Sequence, residues 1–365
     1  YKRLLAYSSI ESIGIIGLGI AIGMLGLTFS KPLIAILGFI GAFLHLCNHS
    51  IFKELMFFAV GNVYQKTHTR DMEQLGGLIK KMPYTGLLFT IGSIAICGLP
   101  PLNGFISELL IYAGMLLGIP SSEINLFILL VISIAALALV GTMAMLCFTK
   151  ATGIIFLGNA RSEKASNVKN DAPIIMLLPI SILSIMALCI GVFPQYIIKI
   201  IGVPSSLFIK DNSFIELLNS LVAYSQVLSK IFIVFLSVLL ISYLLKLISA
   251  PKQAKLTTWG CGYNKPNNNM QYTASSYANL FVSTLKPLFK RISHIKKPKD
   301  LFPKEAYYES EIEDIEEAYI VKPLVQWDEK MLSKFEKIQN GNIQQYILFG
   351  LIFLVLSIIG LIIIG

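Results

Sequence analysis

Residues 33–63 read LIAILGFIGAFLHLCNHSIFKELMFFAVGNV. A helix of about 20 residues crosses a ~30 Å hydrocarbon core, and this stretch exceeds that length while carrying His45, His49, Lys53 and Glu54. Comparable apolar stretches recur at 8–29, 84–118, 124–148, 173–193, 226–248 and 344–364, which with 33–63 makes seven. The composition agrees, with 55% of the 365 residues hydrophobic and 14% charged, against about 25% charged in soluble domains. The expected fold is an all-α integral membrane protein of about seven transmembrane helices.

The net charge of +9 does not point to nucleic acid, because the basic residues collect in alternate loops, the pattern that orients membrane proteins. Lys2 and Arg3, Lys66 to Lys81, Lys150 to Lys169, and the long 249–343 segment fall on one side. Lys31, Lys199 and Lys210, with Lys230 at a helix entrance, fall on the other. The basic side is predicted to be cytoplasmic, placing 249–343 there and the C-terminus outside, in a bacterial or archaeal inner membrane. Lys2 and Arg3 ahead of so long an apolar span do not read as a cleavable signal peptide, and Tyr1 in place of Met predicts a longer parent chain.

The organisation follows from these spans. Residues 1–150 form a transmembrane core, 151–248 add further helices, 249–343 are polar, and 344–365 anchor the end of the chain. Within the polar segment, Leu324, Trp327, Met331, Phe335 and Ile338 recur at helical spacing opposite Asp328, Glu329, Lys330 and Lys334, an amphipathic helix for a membrane surface, a neighbour or its own protein. Cysteines 47, 97, 147, 189 and 261 are odd in number and form no CxxC pair, so neither a disulfide framework nor a cluster-binding set is indicated.

Steps of four residues turn a helix by about 400°, so His45, His49 and Lys53 stay on one face at rises of roughly 6 Å. That exceeds hydrogen-bonding distance, and a continuous path along them needs water. A lysine near mid-membrane costs roughly 2.5–3.5 kcal/mol on insertion scales and by default marks a functional interior. The plain alternative is two core histidines bonded to backbone and a lysine reaching for the interface. A zinc site is disfavoured, because the HxxxH pair lacks the HExxH glutamate and shows no third ligand at a telling spacing. Glu54 points away from the stripe.

In the span 84–118, ICGLPPLNGFISELL (96–110) holds Gly98, Pro100, Pro101 and Gly104. Prolines remove donors and clash with the preceding turn, so a helix break near mid-membrane is expected, of the kind that lines transport sites. Glu108 just after it is a candidate proton carrier, or else a packing tether in a kinked helix. Glu11 near the start of the first span reads equally as interfacial or functional, and Lys150 as a snorkelling anchor or a relay. His68 and His294 fall in polar loops and read as solvated.

Four pieces in order, YKRLLAYSSIESIG (1–14), HLCNHSIFKELMFFAVG (45–61), RDMEQLGGLIKKMP (70–83) and GLPPLNGFISELLIY (98–112), resemble the antiporter-like subunits shared by respiratory complex I, multi-subunit cation/proton antiporters and membrane-bound [NiFe] hydrogenases. TTWGCGYNKPNNNMQYTASSYANLF (257–281) is similar to the tail of the large antiporter-like subunit of group 4 hydrogenases, the hydrogenase-4 component B or formate hydrogenlyase subunit 3 type. The resemblance implies the second of two inverted repeats, each with one broken helix, followed by extra C-terminal helices. It implies a proton path over His45, His49, Lys53 and Glu108, with Lys2 matching a lysine at the start of its span. The first repeat, with its glutamate and lysine, has no counterpart in this chain.

On that resemblance the chain is expected to be a non-catalytic subunit that moves protons along a buried polar axis, coupled to redox chemistry in membrane and hydrophilic partner subunits. No cofactor is expected in this chain, the [NiFe] centre and iron–sulfur clusters belonging to partners. The rival readings are a sodium/proton antiporter subunit and a non-conducting membrane anchor for a soluble hydrogenase arm.

Overall fold

The computed structural model describes residues 1–120, 123–209, 213–249, 261–263, 267–268, 270–284, 291–296, 307–312, 317–335, 341 and 343–364. The chain divides into two compact units, Tyr1–Ala278 and Asn279–Gly365.

The first unit is helical. It opens with α1 (Lys2–Thr28) and α2 (Pro32–Thr67), joined by a tight turn in which Lys31 N–H donates to the Gly26 carbonyl at 2.7 Å. Pro32 starts α2 where a helix tolerates proline best. Next come α3 (Pro83–Ile96), α4 (Asn103–Gly118), α5 (Ile124–Phe156), the short α6 (Glu163–Ser166), α7 (Ile174–Val192), α8 (Pro194–Ser205), α9 (Phe214–Ser249) and α10 (Ala274–Thr284), whose last turns run into the second unit.

α2 is the hub: α1, α3, α4, α7, α8 and α9 all pack on it. Its length is buried on several sides, from Ile34 through Ile40 and Leu44 to Phe52, Met56 and Val63. Its two halves feed different apolar clusters. Ile36, Ile40 and Leu44 meet Ile106 of α4 and Ile198 of α8, while Phe52, Leu55 and Met56 meet Phe89 of α3 and Phe148 and Phe156 of α5. His45, Asn48 and Lys53, near the centre of α2, are therefore enclosed by protein.

The second unit pairs β1 (Arg291–Lys296) antiparallel with β2 (Tyr307–Ile312), Arg291 facing Ile312 and Lys296 facing Tyr307. His294, expected in a loop, is exposed on β1. A π-helical turn at Glu317–Val321 leads into α11 (Lys322–Phe335), which carries Leu324, Trp327, Met331 and Phe335 as the periodicity predicts. α12 (Ile343–Ile364) ends the chain. Ile338, Trp259, Lys210 and much of 249–343 lie outside the described residues.

Among the described residues, six helices, α1, α2, α5, α7, α9 and α12, are long and apolar enough to cross a membrane. The remaining expected span, 84–118, is two shorter apolar helices, α3 and α4. α9 begins at Phe214, well before the span expected at 226–248. Ser220 and Ser229 dilute its apolar signal, but each hydroxyl bonds the carbonyl one turn back, at 3.0 Å, so neither breaks the helix. α8 was not anticipated, because Pro194 and Pro204 bracket it in sequence.

Candidate functional site

The stripe on α2 does form, but its members do not touch one another in a chain. His45 and Lys53 are buried, His49 is half-buried, and Glu54 is exposed. Each buried member is tied to a different helix. His45 Nδ1 lies 2.9 Å from Ser107 Oγ of α4, whereas Lys53 Nζ donates to the Leu5 carbonyl of α1 at 3.2 Å. The Ser9 hydroxyl shares that carbonyl at 3.1 Å. Phe52 lies edge-on to both imidazoles, at centroid distances of 6.0 Å to His45 and 5.7 Å to His49. Nε2 of both histidines is buried without a hydrogen-bond partner among protein atoms.

Three neutral residues complete the cluster. Asn48, one turn beyond His45, donates to the Asn103 carbonyl at 2.8 Å and to Ser107 Oγ at 3.2 Å. Asn103 Nδ2 returns a bond to Asn48 Oδ1 at 3.2 Å. Sequence reasoning passed over Asn48, Asn103 and Ser107 because neutral amides and hydroxyls do not stand out in an apolar span. The spacing of four between Asn103 and Ser107 on α4 was the available signal.

The interruption between α3 and α4 runs over Cys97 to Leu102. α3 closes with Gly98 at φ +60°, Gly98 N–H on the Ala95 carbonyl and Leu99 N–H on the Ile94 carbonyl, both at 3.2 Å. That is the glycine-dependent double bond by which helices commonly end. Pro100 and Pro101, joined by a cis peptide, offer no N–H to continue it. Gly104, expected as part of the break, instead lies buried in the first turn of α4, where a Cβ would collide with the Ala95 carbonyl. It is a site of close approach between α3 and α4.

The break wraps around a carboxylate. A Cβ on Gly98 would run into Glu108 of α4. Glu11 of α1 is half-buried and near enough to act electrostatically on both Lys53 and Glu108. So α1 sets a carboxylate within electrostatic reach of an ammonium on α2 and of a second carboxylate on α4. Lys150 is half-buried near Cys147 and the amino end of Tyr1, and Lys2 is exposed at the start of α1. His68 is exposed as the left-handed cap of α2, at φ 51°. Among the described residues, no three His, Cys, Asp or Glu side chains converge as a metal site.

The tail motif meets the loops that flank α3 and α5. Gln271 accepts from the Asn159 N–H at 3.0 Å and donates to the Asn159 carbonyl at 3.1 Å. Arg161 spans three carbonyls, Leu75 at 2.6 Å, Ile154 at 2.8 Å and Tyr272 at 2.8 Å. Glu73 accepts from the N–H groups of Ala274, at 3.2 Å, and Ser275, at 2.7 Å, satisfying donors at the start of α10.

Residues 1–137 match the family model described as NADH:quinone oxidoreductase/Mrp antiporter, transmembrane. The chain is 29% identical to hydrogenase-4 component B of Escherichia coli (strain K12), over 99% of this chain and 55% of the relative. It is 32% identical to formate hydrogenlyase subunit 3 of the same organism, over 79% of this chain and 46% of the relative. The chain thus spans about half the length of these curated relatives. Among solved structures, a chain of the membrane-bound sulfane sulfur reductase, an archaeal respiratory membrane complex, aligns with 96% of this chain and 55% of its own length, at TM-score 0.53 and 18% identity. That likeness concerns the fold alone.

Proposed function

We propose, from the match of residues 1–137 to the NADH:quinone oxidoreductase/Mrp antiporter transmembrane family model, that the chain is part of a proton-translocating membrane subunit of a hydrogenase-type or complex I-like assembly. The observation that carries this reading is a set of ionisable groups within the helix bundle: buried His45 and Lys53 on α2, half-buried Glu108 beside the α3–α4 interruption, and half-buried Glu11 on α1, which acts electrostatically on Lys53 and Glu108. Buried ionisable groups are retained in a membrane interior where ions or protons move.

The chemistry is acid–base relay. Lys53 donates one of its three protons to Leu5, which leaves two N–H bonds for water or a carboxylate. The Glu108 carboxylate packs directly against Gly98 of the turn, where a Cβ would collide with it, so the interruption and the acid fit together only while residue 98 is glycine. Water between the unpartnered Nε2 atoms of His45 and His49 satisfies both and bridges the roughly 6 Å rise between successive members.

Redox chemistry, with any [NiFe] centre or iron–sulfur cluster, falls to partner subunits in this reading. Cys47, Cys97, Cys147 and Cys189 sit on or next to four different helices, a donor set that does not fit cluster ligation. The lysine-rich side, with 249–343, faces the cytoplasm, and the C-terminus lies outside. The four segments of the chain, 1–150, 151–248, 249–343 and 344–365, serve as conducting core, supporting helices, cytoplasmic segment and anchor.

The test is proton flux in vesicles carrying the native complex, wild type against Glu108→Gln and Lys53→Ala. Assembled variants that lose flux support the relay. Full flux in both makes the polar residues structural and the chain a non-conducting anchor. The family description also covers Mrp antiporters, and a flux that requires sodium favours the sodium/proton antiporter reading.

A further inference from the structure

The hydroxyl of Ser107 has no bonding capacity to spare. Its single proton goes to the Gly104 carbonyl at 2.9 Å, and it accepts from the Asn48 amide at 3.2 Å. The direction of that second bond is set next door. The Asn103 carbonyl can only accept, so the group facing it at 2.8 Å is the Asn48 NH2, whose other N–H is the one aimed at Ser107. One lone pair of Ser107 then remains, and His45 Nδ1 stands 2.9 Å from it. A ring nitrogen beside a lone pair must carry a proton to bond it.

We infer that Ser107 is a positioning residue that, with Asn48, holds the neutral His45 in its Nδ1–H tautomer and leaves Nε2 as the ring's free lone pair. The opposite arrangement, with Ser107 donating to Nδ1, puts the ring N–H on Nε2. That atom is buried with no partner among protein atoms, and orphaned buried N–H groups are rarer in proteins than under-satisfied acceptors. Backbone packing maintains the spacing. Gly41, one turn before His45, lies under α4, where a Cβ would come within 3.2 Å of the Ser107 carbonyl.

The consequence concerns how His45 takes part in the relay proposed above, on which this inference rests. A proton arriving at Nε2 makes an imidazolium that keeps its Nδ1–H. Passing a proton out through Nδ1 requires Ser107 to take it and give its own to Gly104, and a backbone carbonyl does not hold a proton near neutral pH. The proton therefore returns from Nε2, the nitrogen it entered by, for as long as Ser107 stays bonded to Gly104. His45 stores and returns protons on one side of the ring, and conduction past it runs through water or Lys53.

The experiment is solid-state NMR of the protein isolated with its native membrane complex, labelled with 15N-histidine, the His45 signals being those lost in His45→Gln. The expected wild-type signature is a protonated Nδ1 with a bare Nε2. Ser107→Ala is expected to give a mixture of tautomers, and Ser107→Thr, which keeps the hydroxyl, to restore the single form. A wild-type ring protonated on Nε2 overturns the inference, as does Ser107→Ala with the wild-type signature. If Ser107→Ala does not assemble, the wild-type and Ser107→Thr spectra decide it. The readout is a tautomer and not a flux, so a silent Lys53→Ala in vesicles would remove the relay reading and leave the tautomer assignment standing.

Discussion

Asn48 on α2 and Asn103 on α4 bond each other reciprocally: the Asn48 amide donates to the Asn103 carbonyl at 2.8 Å, and the Asn103 amide donates to Asn48 Oδ1 at 3.2 Å. Both are fully buried. The pair ties the hub helix to the first turn after the α3–α4 interruption. Removing either partner leaves buried polar groups unpaired, the costly side of hydrogen-bond energetics. Asn48→Ala or Asn103→Ala should each destabilise the bundle by about 1–2 kcal/mol, within the range found for interhelical hydrogen bonds in membranes. The double variant should cost less than their sum. Thermal unfolding in detergent of the two single variants and the double variant checks this, and strict additivity would mean that the two residues do not act as a pair.

Gly98 meets two demands at once, a left-handed backbone at φ +60° and clearance for the Glu108 carboxylate. Gly98→Ala should cost about 1–2 kcal/mol from the backbone alone, plus the displacement of Glu108. Adding Glu108→Ala should recover the second part and not the first. A Gly98→Ala protein as stable as wild type would show that the turn can be made another way.

An interruption near Gly98 and the four-residue spacing of His45, His49 and Lys53 were both legible in the sequence, because Gly-Leu-Pro-Pro and the spacing are local signals, whereas the left-handed backbone of Gly98 was not read from it. Nor was what stood beside them. Ser107 is adjacent in sequence to Glu108 and four residues from Asn103, but nothing local says that it faces His45, 62 residues away. That contact follows from the close approach of α4 to α2 at Gly41. Gly104 was misread as a breaker because glycine signals a kink and a close approach alike. The partners of Gln271 and Arg161, 112 and 111 residues apart from them in sequence, are likewise set by tertiary packing.

Arg161 bridges the loop before α3, the end of α5 and the tail segment through its contacts with Leu75, Ile154 and Tyr272. Lysine cannot reproduce a planar fork that reaches carbonyls in separate directions. In Arg161→Lys and in Gln271→Ala, amide exchange over 272–284 should rise at least several-fold, in keeping with the loss of about 1 kcal/mol per hydrogen bond. Amides of α2 and α4 should keep wild-type protection. Unchanged exchange in the tail segment of both variants would mean that Glu73 alone holds the start of α10.

Glu11 is the residue whose sequence reading was most evenly divided, and it acts electrostatically on both Lys53 and Glu108. An acid near an ammonium stabilises the charged form, and near a second carboxylate it opposes ionisation. Removing its charge therefore disturbs both groups of the relay at once. Glu11→Gln preserves shape and one acceptor oxygen while abolishing the charge, and proton flux in vesicles should fall roughly tenfold, equivalent to about 1.4 kcal/mol. Lys2→Ala, altering an exposed charge on the same helix, serves as the control and should keep wild-type flux. Equal flux in Glu11→Gln and Lys2→Ala would return Glu11 to an interfacial role and leave Lys53 and Glu108 to act without it.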